Sequence, residues 1–344
     1  KALAGYCGAK HAVVYSNGSV ALQAAYAAAG LGPGHELVTT PLTFAATATA
    51  ALWLGAKPVF ADIKTGDGNL DPEKAAAAIT SKTKILAPVD YSGRPVDLAA
   101  FKALAKKHKL VLVEDACHAL GASYEGRKIG SHADLTVFSF HPVKSITTGE
   151  GGAVLTDDDA FAEKLLSFRT HGVTKKHPDW RYEIGELAQN GRLTDMQCAL
   201  GLSQLKKLDS FVERRAEHAS AYSDELAGVD EIIRPPVAEA GGSAWHLYPI
   251  RLRLDRLSAG RAEFYAELRA RGIGAQVHYI PVYHHPLYRG LGYEGPLCPL
   301  AESFYEAELS LPIFPTLSDA DRRLVVEAVK ATAAKFARAA RTAP

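Results

Sequence analysis

The segment Thr136-Val-Phe-Ser-Phe-His-Pro-Val-Lys144-Ser-Ile-Thr-Thr-Gly-Glu-Gly-Gly-Ala-Val154 sets one lysine among aromatic and small polar residues, with no acidic partner at helical spacing. A nucleophilic amine needs such a setting, because burial disfavours the ammonium and lowers its pKa. Schiff-base formation with an aldehyde is the leading use of such an amine. The alternative is a lysine that snorkels out of a loop. Asp115 ends the apolar run Leu110-Val-Leu-Val113 and Glu114. A carboxylate buried there needs a cationic partner or strong hydrogen bonds, unless it merely caps the next turn. The turn Ser16-Asn-Gly-Ser19 passes from a strand-like run straight into a helical one. Free N–H groups, the positive end of the helix dipole and the Ser19 hydroxyl together suit an anion, although a plain capping turn reads the same way.

These residues need elements to hold them. Strand candidates are His11–Ser16, Glu36–Thr39, Pro58–Ala61, Lys84–Val89, Leu110–Glu114, Leu135–Phe140 and Ala153–Thr156. Helical stretches Ser19–Ala29, Ala45–Leu54, Pro72–Ile79 and Leu98–His108 lie between them, with Asp71-Pro72 and Asp97 as start signals. This alternation predicts an α/β fold with a mostly parallel seven-stranded sheet covered by helices, and ligands outside the carboxyl ends of its strands. The unusual segments fall at such ends, so they could face one pocket. Further on, a long helical region spans about 194–227, with Leu200, Leu202, Leu205 and Leu208 as apolar anchors. Arg234-Pro-Pro236 through Gly241-Gly-Ser243 punctuates the chain. A large domain over 1–230 and a smaller α+β domain over 243–344 are expected. In the latter, Trp245–Leu254 and Gly274–Ile280 read as strands, Arg261–Arg271 and about 319–340 as helices.

Composition narrows the classes. The chain has 344 residues, 47% hydrophobic and 22% charged, with 39 Lys+Arg against 38 Asp+Glu. That balance calls for neither nucleic acid nor an anionic membrane. Cys7, Cys117, Cys198 and Cys298 are far apart and form no C-x-x-C pair, as in reduced cytoplasmic thiols. No apolar run reaches membrane-spanning length. The opening Lys1-Ala-Leu-Ala-Gly-Tyr6 resembles the interior of a helix and lacks an initiator methionine, so a preceding segment is expected. Gly30-Leu-Gly-Pro-Gly34 follows a helix and lacks the spacing of a dinucleotide fingerprint. The histidines of Val277-His-Tyr-Ile-Pro-Val-Tyr-His-His285 have no carboxylate or cysteine to complete a close ligand set, and no metal is expected.

A phosphate cradle, a strand-end aspartate and an isolated lysine form the inventory for pyridoxal 5′-phosphate (PLP). Asn17-Gly-Ser-Val-Ala-Leu22, Pro41-Leu-Thr-Phe44, Glu114-Asp-Ala-Cys-His118, Ser139-Phe-His-Pro-Val-Lys144, Gly149-Glu-Gly-Gly152 and Asn190-Gly-Arg-Leu193 resemble the DegT/DnrJ/EryC1/StrS sugar aminotransferases, in order and over essentially the whole chain. The resemblance implies the type I, aspartate aminotransferase-like PLP fold. By the same resemblance Lys144 forms the internal aldimine and shuttles the proton between cofactor C4′ and the sugar carbon. Asp115 holds the pyridinium N–H, Phe44 stacks on one ring face and Cys117 lies on the other. Gly18, Ser19 and Ser139 hold the phosphate, and Asn190 reaches the cofactor of the neighbouring protomer in a homodimer. His118, in place of the glutamine of many members, lies near the phenolic oxygen. Tyr6, His278 and Tyr279 contact the sugar nucleotide. One subgroup carries histidine in place of the lysine and dehydrates its substrate. Lys144 favours transamination instead, with His141 a neighbour.

Ala188-Gln-Asn-Gly-Arg192 departs from the family's aromatic loop, which bears on the cross-protomer contact. Val89-Asp-Tyr-Ser-Gly93 replaces a histidine-containing stretch. Phe140–Gly152, Leu200–Asp209 and Val277–Pro281 are similar to one branch of the family. That branch moves an amino group from L-glutamate to C4 of a UDP-linked 4-keto-6-deoxy-N-acetylhexosamine, on the way to pseudaminic acid. The same resemblance leaves dTDP-, GDP- or other UDP-linked 4-keto sugars open. A non-catalytic binding protein on the same fold is the remaining alternative.

Overall fold

The computed structural model describes residues 1–174, 180–239 and 241–338. Its central sheet has strands β1 His11–Tyr15, β2 Glu36–Thr39, β3 Lys57–Phe60, β4 Thr83–Ala87, β5 Val111–Asp115, β6 Leu135–Ser139 and β7 Gly152–Thr156. They lie in the order β1-β7-β6-β5-β4-β2-β3. Only β7 runs against its neighbours, β1 and β6. The remaining pairs are parallel. Such a sheet is covered on both faces, and successive strand residues enter different cores. Ile85, Val113 and Val137 pack with Leu22, Tyr26 and Leu37. Their neighbours Leu86, Leu112 and Phe138 pack with Leu98 and Phe101 on the opposite face.

The helices around this sheet are α1 Ala2–Cys7, α2 Gly18–Ala28, α3 Ala46–Trp53, α4 Pro72–Ala78, α5 Leu98–His108 and α6 Asp159–Arg169. Side-chain caps start several of them. Asn17 caps α2, Asp71 caps α4, Asp97 caps α5 and Asp158 caps α6, each accepting from a first-turn N–H.

The expected helix over 194–227 is two helices, α7 Asp195–Leu205 and α8 Leu208–Glu225. The break is a tight turn in which Lys207 N–H donates to Gln204 O. No glycine or proline announced it. Leu208 is buried, but Leu200 and Leu202 are exposed, and α7 buries none of its residues within this chain. Those two leucines are therefore not anchors of the fold within one chain.

A second, antiparallel sheet joins β8 Ile232–Ile233, β9 Tyr248–Leu252 and β10 Glu308–Leu311. Helices α9 Arg261–Ala270 and α12 Asp319–Phe336 cover it, and α8 adds Ala219 and Tyr222 to the same core. Residues 339–340 of the expected last helix lie outside the described residues. Between α9 and α12 come α10 Pro286–Gly290 and α11 Pro299–Ala307. A fourth core packs Leu42, Ile63 and Tyr91 against Tyr283, Tyr288 and Phe304, joining this stretch to the large sheet.

Two strand expectations need correction. The Trp245–Leu254 stretch pairs only over Tyr248–Leu252, since Trp245 sits at φ 46° and turns the chain before the strand begins. Gly274–Ile280 forms no strand and touches the sheet through a single Gln276–Ser310 bridge. The next N–H that could extend it, His278, donates instead to the Glu308 side chain at 2.7 Å.

Candidate active site

The strand ends and helix starts converge on a cleft of about 610 Å³. Tight backbone approach makes its first wall. β1 passes through Ser16 and Asn17 directly into α2, whose N-terminus lies against the end of β6. A Cβ on Gly18 would stand 3.0 Å from Ser139 Cβ, and one on Gly152 would stand 2.6 Å from Asn17 O. These glycines let the turn, β6 and β7 close together. The start of an 11-residue helix, with the Ser19 and Ser139 hydroxyls beside it, is a cradle for an anion.

Asp115 ends β5 and is almost fully buried. Strand alternation turns it toward the face that carries α2 and α3, while Glu114 takes the other. Thr47 Oγ1 donates to Asp115 Oδ2 at 2.7 Å, and Cys117 N–H donates to Oδ1 at 3.2 Å. No cation is ion-paired with it among the described residues. The Cys117 thiol is pushed up by burial and by Asp115, so it stays a neutral, compact group beside the carboxylate. Phe44 leaves its ring largely open beside the cleft, 6.4 Å edge-on from Tyr279. An exposed aromatic in the same cleft as a buried carboxylate is a platform for a flat ring.

Lys144 lies in the turn after β6. Its amine has neither hydrogen bond nor ion pair among the described contacts; only its backbone N–H is engaged, with His141 O at 2.9 Å. Burial lowers its pKa from the ordinary lysine value, with Cys117 and Asp115 pulling the other way. Neutral rings surround it. Tyr279 Oη and His118 Nε2 are 3.1 Å apart, and the His118 and His246 rings lie 4.3 Å apart. Burial and the nearby Lys144 push His118 down, and burial and His118 do the same for His246. Burial and Lys144 hold His278 down at about 4. His278 Nδ1 is 2.8 Å from Ser310 Oγ, and the Ser310 hydroxyl donates to Glu308. Burial pushes the Glu308 carboxyl up to about 8.

A second cleft of about 740 Å³ meets the first, and both are lined by Val143, Lys144, His246 and His278. The amine therefore stands where two spaces join. Arg215 lines the second cleft and donates to the carbonyls of Trp245, His246 and Ile313 at 3.1, 3.3 and 2.8 Å, which pins the segment bearing His246.

The first cleft thus collects Gly18, Ser19, Phe44, Asp115, Cys117, His118, Ser139, Lys144, His278 and Tyr279. Two expected residues stay outside it. Tyr6 donates its hydroxyl to Asp209 at 2.6 Å under the Lys128 amine, and Asn190 sits exposed in a bridge to Thr170. Sequence reasoning missed Thr47 and His246. Thr47 had a signal, one helical turn beyond Thr43 and Phe44, whereas nothing around His246 marked it. Among the described residues no group of three or more His, Cys, Asp or Glu side chains is placed to hold a metal ion.

An α/β fold with a buried strand-end carboxylate, a helix-start anion cradle and an uncompensated lysine in one cleft is a transferase architecture that carries amino groups. The chain belongs to the DegT/DnrJ/EryC1/StrS aminotransferase family, whose profile matches residues 1–330, and it is an aminotransferase. It is 43% identical over 329 residues to the UDP-4-amino-4,6-dideoxy-N-acetyl-beta-L-altrosamine transaminase of Campylobacter jejuni, covering 94% of this chain and 86% of that one. Among solved structures, Helicobacter pylori PseC, an aminotransferase involved in the biosynthesis of pseudoaminic acid, superposes with a TM-score of 0.92 at 38% identity, over 97% of this chain and 90% of that one. The PLP form of the Streptococcus pneumoniae sugar aminotransferase Spr1654 superposes with a TM-score of 0.90 at 30% identity, over 97% and 89%.

Proposed function

We propose that this chain is a PLP-dependent aminotransferase that moves an amino group from L-glutamate to C4 of a UDP-linked 4-keto-6-deoxy-N-acetylhexosamine, in nonulosonic acid biosynthesis. The observation that carries the reading is the half-buried Lys144, whose amine has no acid or acceptor among the described residues, in one cleft with Asp115 and the Gly18–Ser19 cradle. The fit to PLP rests on groups left open toward the cleft. Asp115 has hydrogen-bond donors but no ion-paired cation among the described residues, the Phe44 ring is exposed, and His118 Nδ1 is buried with no hydrogen-bond partner among them. When bound, the cofactor supplies an electron sink for breaking and making the C–H bond at the amino-bearing carbon.

The protein's own residues do the rest. Lys144 receives the aldehyde and afterwards moves the proton between cofactor C4′ and the sugar carbon, which its lowered pKa suits. Asp115 keeps the ring nitrogen protonated. The helix-start N–H groups of Gly18 and Ser19, with the Ser139 hydroxyl, take the phosphate. Phe44 and Cys117 enclose the ring. His118, Tyr279 and His278 offer neutral hydrogen-bonding groups near the phenolic oxygen and the sugar. The cleft that meets the first at Lys144 gives room for a sugar nucleotide. The sugar itself is argued from the similarity to the Campylobacter transaminase.

The active unit in this reading is a homodimer in which Asn190 serves the partner's site. Exposed apolar side chains cluster near Asn190 in sequence, among them Tyr182, Ile184, Leu187 and Met196, which supports a covering partner. All four cysteines are free, in keeping with a cytoplasmic enzyme.

Reconstituted with PLP, the protein should be yellow and change its absorbance when L-glutamate is added. Lys144→Ala should abolish that change while leaving the fold intact. An unchanged spectrum in the wild-type protein refutes the catalytic reading. A panel of UDP-, dTDP- and GDP-linked 4-keto sugars offered with glutamate then ranks the substrates, and preference for another nucleotide overturns the sugar.

A further inference from the structure

Behind Asp115, away from the cleft, two more carboxyl groups meet. Glu114 is the preceding residue of β5, and Asp90 follows β4 on the neighbouring strand; neither has any exposed surface. Each has one oxygen engaged by an ordinary donor. Val96 N–H donates to Asp90 Oδ1 at 2.9 Å, and Thr136 Oγ1, directly across on β6, donates to Glu114 Oε2 at 2.8 Å. The remaining oxygens, Asp90 Oδ2 and Glu114 Oε1, are sealed from solvent and receive no donor from the rest of the described chain. Val89 pairs with Asp115 in parallel register, so Asp90 and Glu114, each one residue along, both turn to the opposite face with these unpartnered oxygens. Two carboxylates cannot bond to each other; a hydrogen bond between two carboxyl groups requires a proton on one of them.

The backbone ties this pair to the site. Asp90 N–H donates to Asp115 O at 3.1 Å, and Asp115 N–H donates to Pro88 O at 2.9 Å. We propose that Asp90 and Glu114 share one proton and act as a positioning pair, locking the ends of β4 and β5 so that Asp115 presents its carboxylate to the cofactor at a fixed height.

The surroundings leave the proton in place. The ionisable groups that act on the pair are Asp115 at the same strand end, Cys117 beyond it and Cys7 of α1. Both thiols are held neutral by burial, and no cation among the described residues acts on either carboxyl. Burial first, and the neighbouring carboxylates with it, raise Asp90 well above the usual carboxylate range, and burial raises Glu114 likewise. Acids raised on folding contribute stability that is full below their unfolded pKa, about 4, and is lost as pH rises through the folded one.

The positional role rests on the cofactor reading of Asp115, whereas the shared proton does not, so the tests are divided. In the first, cofactor-free wild-type protein and the D90N/E114Q variant are unfolded in urea from about pH 5 to about pH 8. The wild-type midpoint should decline relative to that of the variant as pH rises, because the amide pair keeps a hydrogen bond without an ionisable group. Parallel profiles overturn the shared proton. In the second, which stands if the double variant does not fold, infrared spectra compare wild type with E114Q. The same comparison is made with D90N: a protonated-carboxyl band should be lost or shifted in each single variant, and a band unchanged in both overturns the proposal.

PLP binding tests the positional part. Glu114→Ala should raise the dissociation constant on the order of tenfold, as loss of a supporting hydrogen bond does around other bound groups. Glu114→Gln should restore wild-type affinity. Wild-type affinity in E114A, or equal weakening in E114A and E114Q, overturns the positioning role. Failure of wild-type protein to bind PLP at all strikes the cofactor reading and leaves the first two results standing.

Discussion

Lys144 and Asp115 share a cleft yet do not pair, and their contacts explain why. Both oxygens of Asp115 are already met by Thr47 Oγ1 and Cys117 N–H, which fix the carboxylate in place without drawing the amine onto it. A lysine locked in an ion pair would be a poor nucleophile. Thr47→Val should therefore leave a buried acceptor short of a donor. We expect a loss of about 1–3 kcal/mol in urea unfolding, together with weaker PLP binding. Unchanged values for both would show that Thr47 is dispensable. Gly18→Ala tests the cradle. Its methyl would stand 3.0 Å from Ser139 Cβ and 3.2 Å from Ser139 Oγ. The turn or the hydroxyl must then shift, so PLP affinity should fall with little change in thermal stability. Equal affinity for PLP in the variant would mean that the phosphate sits elsewhere.

The elements that carry this site were largely legible in the chain. All seven strands of the large sheet were found to within a residue or two, because buried parallel strands read as short β-branched runs between capped helices. The gathering of Gly18, Asp115, Ser139 and Lys144 followed from their places at strand ends. What the sequence hid was decided by distant contacts. Gly274–Ile280 has strand-like composition, but the carboxyl of Glu308 takes the N–H that a ladder needed. His246 enters the cleft through tertiary packing that no local period encodes, whereas the helical spacing of Thr47 from Thr43 could have placed it. Helix α7 is the clearest case, since it buries none of its residues within this chain and leaves Met196, Leu200 and Leu202 exposed. If a second copy covers that face, Met196→Glu with Leu202→Glu should shift the protein toward monomer in analytical ultracentrifugation and cost activity in proportion. A dimer that survives both charges would place the interface elsewhere.

Over the whole molecule, buried ionisable groups should shape the response to acid. His278 is held down at about 4, against an ordinary value of 6.5, by burial and by Lys144. Its neutral form belongs to the folded state, so the stability it contributes is full above about pH 6.5 and is lost as pH falls toward 4. His118 and His246, also pushed down, add to the same limb. His278→Asn should flatten part of that acid decline in urea midpoints, and an unaltered decline would remove His278 from the account. The sheet order has a further consequence, for the timing of folding. β1 carries the cradle turn but joins the sheet only through β7, more than a hundred residues later in the chain. A nascent chain therefore holds Asn17, Gly18 and Ser19 idle until Gly152–Thr156 has emerged and paired. Capture of the cofactor should mark the completion of the sheet, and in refolding its absorbance should rise with the last step rather than with the first collapse.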